Sequence, residues 1–385
     1  MSAAPSTSEG AIATRGAPWI AGRGFDLAIF FGAALLALLG PTLVVLGVLP
    51  PLVIVWGYVL FFDGPHMMAG YSRTFLDKET RQKRPRLLYG TLAAGIVLPL
   101  GSALLSATLH DDAPFQLFLG LMTLYSFWHI VRQAWGIFAL YRSREGARAN
   151  VRMERTLFYV AMYAPYIYFL FVHPAVRAAM LGDAQATGAS VPLQQAWEVH
   201  ASRGLIALGV LALVLFAARL LRARAMTALY YGATTIVFHA IVYFVFSVRE
   251  PIFAGARGTD QTFMVITAAV SICHSTQYIA LVFIHNARRY VAGKSVHGLA
   301  ATLSAKALPY LATCLVFAVL YVGLTWLTGI YPGPFALSPS PSHAFTVSRV
   351  ALSVYWGIAL QHYLLDAKIW RIKTDPELRR VFMKG

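Results

Sequence analysis

Four apolar stretches each contain a histidine beside other polar side chains: Asp63-Gly64-Pro65-His66, Trp128-His129-Ile130-Val131-Arg132-Gln133, His274-Ser275-Thr276-Gln277-Tyr278 with His285-Asn286 further on, and Gln361-His362-Tyr363-Leu364-Leu365-Asp366. A fifth, Phe238-His239, stands in a stretch that runs the opposite way. On a helix, His362 and Asp366 (i, i+4) face one point from consecutive turns, a spacing that suits two ligands of one ion. Asp63 and His66 are i and i+3 across a Gly-Pro pair, which predicts a bend and backbone carbonyls in search of partners. His129 and Gln133 are again i and i+4, a ligand with an amide to orient it or the substrate. Ionisable groups inside apolar helices cost a few kcal/mol each unless they pair in the interior. Several imidazoles and two carboxylates at similar depth therefore ask for a common partner. A first-row divalent metal satisfies them all, and imidazole plus carboxylate without thiolate favours iron, with zinc or manganese as alternatives, over copper(I).

The elements that position these residues are membrane spans. Of 385 residues 58% are hydrophobic and 12% charged, the composition of a chain solvated by lipid. Windows of about 20 apolar residues fall at 26–48, 51–72, 87–109, 114–141, 156–178, 203–221, 226–248, 261–286, 306–329 and 344–370. The expectation is an all-α polytopic bundle of about ten spans, a single domain over 25–373 between a disordered cytoplasmic tail (1–24) and a cytoplasmic C-terminal tail (374–385). The net charge of +16 is carried in loops after alternate spans, so it reads as positive-inside topology rather than as a nucleic-acid surface. Both termini are expected in the cytoplasm, in a bacterial-type inner membrane.

Orientation converts to depth. His66, His129, His285 and His362 precede basic loops and are expected at one level in the inner half of the bilayer. His274 lies three turns before His285 on the same face, about 16 Å deeper, and His239 falls near mid-membrane. All six, with Asp366, are candidate metal ligands, while Asp63, Arg132, Gln133 and Tyr278 are candidate catalytic residues. Taken alone, His239 and His274 also suit helix-to-helix hydrogen bonds, and His285 also suits snorkelling beside Arg288 and Arg289. Arg132 reads either as a clamp for a carboxylate or phosphate head group or as the partner of Asp63 or Asp366. His110, His173, His200, His297 and His343 are expected in solvent, and Cys273 and Cys314 as buried hydrophobes.

There is no P-loop, dinucleotide fingerprint, H-E-x-x-H helix or Cys-x-x-Cys-His haem site. The arrangement resembles that of integral-membrane histidine-cluster non-haem metalloenzymes: the lipid hydroxylases and desaturases and, through Gly64-Pro65-His66 and Ser126-Phe127-Trp128-His129, the Brp/Blh-type carotenoid dioxygenases. No two histidines are four or fewer residues apart, so the H-x-x-x-H and H-x-x-H-H boxes of desaturases are absent. The resemblance then implies a mononuclear site or a di-metal site completed by carboxylates. The function expected is a metal-dependent oxidoreductase acting on an apolar or lipid-like substrate from the bilayer, with any electron donor a separate protein. A transporter or channel using intramembrane His, Asp and Arg as an ion or proton relay, a non-covalent haem protein, and a metal-free enzyme acting on lipid head groups stand as alternatives.

Overall fold

The structure, a computed structural model, describes residues 18–146, 151–172, 196–246, 258–327, 345–372 and 374–383. Among these the fold is entirely helical: α1 (Arg23–Val45), α2 (Pro51–Arg73), α3 (Lys78–Lys83), α4 (Pro85–Leu109), α5 (Ala113–Arg144), α6 (Val151–Val172), α7 (Ala196–Arg222), α8 (Met226–Val245), α9 (Gly258–Arg289), α10 (Ala307–Leu327), α11 (Val347–Ile369) and α12 (Pro376–Met383). Seven of them, α1, α2, α4, α5, α7, α8 and α9, are long and apolar enough to cross a membrane. The helices α6 and α11 fall at two further expected positions but carry more polar character. In α6 this comes from Arg152, Glu154, Arg155 and four tyrosines, and in α11 from Arg349, Gln361, His362, Asp366 and Lys368.

The central helix is α9, whose apolar window is 78% buried against 22% for α4 and α7. It packs on α1, α2, α5 and α12. Around it, α6 pairs with α7, α10 lies along α2, and α4 lies along α11. The last pair meets at Gly95 and Gly357, where a Cβ on Gly95 would lie 2.6 Å from the Gly357 carbonyl oxygen. Only glycine allows that approach, which fixes the height of α11 and of His362 on it, five residues beyond Gly357.

A π turn over Val59–Asp63 leads into Gly64-Pro65, where a bend was expected. Its i to i+5 closure brings Tyr58 over Asp63, so that the phenol donates to the carboxylate at 2.9 Å.

The basic loops gather at one end of the bundle. There Asp77 caps α3 and accepts from Arg289 at 3.0 Å and from His297 at 3.1 Å, and Arg289 also reaches Glu79 at 2.9 Å and Glu377 at 2.8 Å. His297, expected in solvent, is thus buried, because two carboxylates and the Tyr290 ring surround it. His110 and His200 are exposed as expected, while His173 and His343 lie outside the described residues. The segment assigned to a C-terminal tail contains α12, which buries Leu378, Val381 and Phe382. Its final carbonyls accept from Arg288 (Val381, 3.1 Å) and Arg144 (Phe382, 2.6 Å), cations placed at the negative end of a helix. Arg288 also donates to the Ile20 carbonyl at 2.8 Å, so the start of the described chain and its last helix share one end of the bundle.

Candidate metal centre

Four helices deliver one imidazole each to a single point: His66 from α2, His129 from α5, His274 from α9 and His362 from α11. One nitrogen from each lies within 4.8 Å of those of the others, and all four side chains are buried. The rings stand face to edge for His66 and His362 (centroids 4.3 Å apart), His129 and His274 (4.9 Å) and His129 and His362 (5.0 Å), and tilted by 38° for His66 and His274 (4.7 Å). Nitrogens bound to one ion at about 2.0–2.1 Å lie about 3.4–4.2 Å from each other; His66 Nε2 and His362 Nε2, at 2.6 Å, are closer than that, and the outer limit of the group, 4.8 Å, is wider.

The polar bookkeeping of the cluster is incomplete within the protein. His129 Nε2, His274 Nδ1 and His66 Nδ1 are buried without a hydrogen-bond partner, an arrangement a protein interior tolerates at a cost of about 1–3 kcal/mol each. A cation at the centre removes that cost for every nitrogen that faces it.

Asp366 stands beside the four imidazoles. Its Oδ1 accepts from Tyr278 Oη at 2.8 Å and from Trp370 Nε1 at 3.3 Å. That leaves Oδ2 facing the cluster, 3.5 Å from His362 Nε2 and 3.7 Å from His129 Nε2. The Tyr278 ring also stacks on His66 at 4.3 Å and 26°, so one side chain fixes both a carboxylate and an imidazole. Gln133 Nε2 donates to the His274 carbonyl at 2.9 Å and ties α5 to α9 at the level of the cluster.

The remaining expected residues lie elsewhere. His285 sits three turns beyond His274, where its Nδ1 meets Asn286 Oδ1 at 3.0 Å and its ring stacks on Phe382. The structure therefore groups His274, not His285, with the other three. Counting back from the basic loops misplaced the level because α5 and α9 have 32 residues each. At about 48 Å they run well past a hydrocarbon core of about 30 Å, so the distance to their basic ends is not a depth. His239 lies outside the group, with Nδ1 on the Thr235 carbonyl at 2.8 Å. Asp63 is turned to three phenols, Tyr58 (2.9 Å), Tyr355 (2.9 Å) and Tyr321 (3.3 Å). Arg132 is exposed, 4.9 Å above the Trp128 ring.

Two residue sets were missed in the sequence. The Asp63 tyrosines come from three helices, and Tyr58 sits at an i, i+5 spacing that only the π turn makes meaningful. Gly70 is the other: a Cβ there would lie 3.0 Å from His362 Nδ1 and 3.3 Å from Tyr278 Oη. Its position one turn after His66 was the available signal.

Two cavities flank the cluster and share His129. One, of about 100 Å³, extends toward the N-terminal ends of α5, α9 and α11. It is walled by His66, His274 and Asp63 together with Leu119, Phe127, Ile130, Phe169 and Val270. The other, of about 80 Å³, lies toward the basic end between Trp128, Arg132, Gln133, Asp366, Trp370 and Phe382.

No protein-family model, curated protein or solved structure matches the chain.

Proposed function

We propose that the chain is a membrane-embedded, histidine-ligated metal-dependent oxidoreductase of the oxygenase or hydroxylase type, acting on a lipid-soluble substrate from the cytoplasmic side. The observation that carries this reading is the convergence of four buried imidazoles and one carboxylate, from four helices, on a point where several nitrogens have no other partner. His66, His129, His274 and His362 would hold the ion, with Asp366 Oδ2 as the fifth donor. A bound iron supplies the redox change that dioxygen chemistry requires, and zinc or manganese fits the same donors.

The chain's own groups do the rest. Tyr278 and Trp370 hold Asp366 in register, and Gln133 fixes the backbone at His274. The apolar wall of the larger cavity excludes bulk water and suits a hydrocarbon chain. In this reading α6, α10 and α11 also cross the bilayer, giving ten spans with both termini in the cytoplasm of a bacterial-type cell, and an electron donor is a separate protein. The arrangement resembles that of the Brp/Blh-type and other histidine-cluster membrane metalloenzymes.

A relay reading has one observation in its favour: the two cavities meet at His129, so a path could pass the cluster. One pair of assays separates the two. Purified protein loaded with iron(II) and given a reductant and a bacterial lipid extract is expected to consume dioxygen, with uptake lost in His129→Ala. Ion or proton flux in proteoliposomes with no uptake from any lipid fraction would overturn the oxidoreductase reading in favour of the relay.

A further inference from the structure

The smaller cavity has the chemistry of a head-group site. Arg132 stands one turn beyond His129 toward the basic end, about 4.5 Å along the helix axis, and its side chain is exposed on a helix long and apolar enough to span a membrane. Among the described residues no carboxylate lies within ion-pair distance of it. Asp366 is engaged by Tyr278 and Trp370, and Asp63 by three tyrosines. A guanidinium keeps its charge, and an exposed one on a helix able to span a membrane is stabilised by an anion supplied from outside the protein. Stacking over Trp128 holds its plane at the cavity wall.

A second polar group in the same cavity also lacks a partner. The Gln133 amide nitrogen is identified by its 2.9 Å bond to the His274 carbonyl, which accepts only from N–H. The atom left over is therefore the oxygen, and Gln133 Oε1 is buried with no donor. Arg132 offers charge and donors at a mouth whose far wall is His129, and the Gln133 oxygen beside it is an acceptor that a monoprotonated phosphate can satisfy and a carboxylate cannot. Beyond His129 the lining is mostly apolar in surface, with Ile130, Phe127 and Leu119 standing beside Thr123, Ser126 and Ser271.

We propose that this cavity binds the anionic head of a single-chain amphiphile, with Arg132 holding the head and the apolar chain running past His129 into the larger cavity. The inference deepens the oxidoreductase reading and rests on it for the chemistry at the chain; recognition of the head is measured without it. Carboxylate and phosphate heads both pair with Arg132, the protonated phosphate alone also donates to Gln133 Oε1, and the experiment distinguishes them.

Competition binding is run with the full-length protein in phosphatidylcholine nanodiscs, metal-stripped and metal-loaded, using oleate, oleyl phosphate and oleyl alcohol as probes. At least one anionic probe is expected to bind about tenfold or more tighter than the alcohol, and the tighter of the two identifies the head. Arg132→Gln is expected to bring all three probes to one level, and Arg132→Lys to retain part of the preference. Equal binding of the three probes to the wild-type protein, which needs no variant, overturns the inference. So does a preference that survives Arg132→Gln. A protein that binds no metal but keeps the preference contradicts the oxidoreductase reading alone; one that binds metal without the preference contradicts this inference alone.

Discussion

His66 Nε2 and His362 Nε2 lie 2.6 Å apart, although 296 residues separate them in the chain. That is shorter than the usual range for a nitrogen donor, about 2.7–3.2 Å. With His129 and His274 the pair marks where four imidazoles converge, and an ion held by both would draw them apart to about 3.4 Å.

Gly70 is expected to be intolerant of even a methyl group. The added Cβ in Gly70→Ala would press on His362 Nδ1 and Tyr278 Oη. Displacing one ligand and the holder of another should weaken metal binding about 10–100-fold, with helix content unchanged. Metal titration beside far-ultraviolet circular dichroism checks both halves.

Tyr278→Phe keeps the ring on His66 and removes the hydroxyl from Asp366. With only Trp370 left on Oδ1, the carboxylate loses its fixed orientation. A loss of metal affinity of about tenfold is expected, smaller than for removal of a ligand. Affinity equal to wild type would show that the Tyr278 hydroxyl does not position Asp366 for the ion.

His285→Ala should leave metal content unchanged. It removes the contact with Asn286, whose amide bridges Ser72 and Ser304 at 2.9 and 3.0 Å, and the stacking on Phe382. The expected cost is about 1–3 kcal/mol of stability, read as a lower melting temperature in detergent. Loss of metal at wild-type stability would return His285 to the ligand set.

Glu79 lies on α3, outside the spans, and its carboxyl is held below the ordinary glutamate range, first by a hydrogen bond from Lys83 and also by Arg289. A pKa lower in the folded than in the unfolded chain contributes stability that is complete above the unfolded value and disappears as pH falls through the folded one. The side chain is partly exposed at the protein surface, so the contribution is expected to stay under about 1 kcal/mol. Melting temperatures of wild type and Glu79→Gln should differ at neutral pH and converge in acid.

The membrane character of the fold was legible because span length and hydropathy are properties of a single segment. So were His66, His129, His362 and Asp366, whose polar neighbours share their helix turns. What one-dimensional reading lost was level. The overhang of α5 and α9 beyond the shorter α2 and α11 exchanged the places of His274 and His285, and nothing in either helix alone marks where its neighbours end. The Asp63 tyrosines were hidden for a related reason, since Tyr321 and Tyr355 reach the carboxylate from other helices. His297 likewise looked like a loop residue until Asp77 and Glu79 came round it.

The most direct test is metal content. Protein purified without chelator is analysed by inductively coupled plasma mass spectrometry, together with His66→Ala, His129→Ala, His274→Ala and His362→Ala, and with His239→Ala and His285→Ala as comparisons. The expected result is near-stoichiometric iron, zinc or manganese in the wild type and in the two comparisons, and severe loss in each of the four. A wild-type protein that holds none of these metals after reconstitution, or four variants that keep them, would contradict a metal centre at this site.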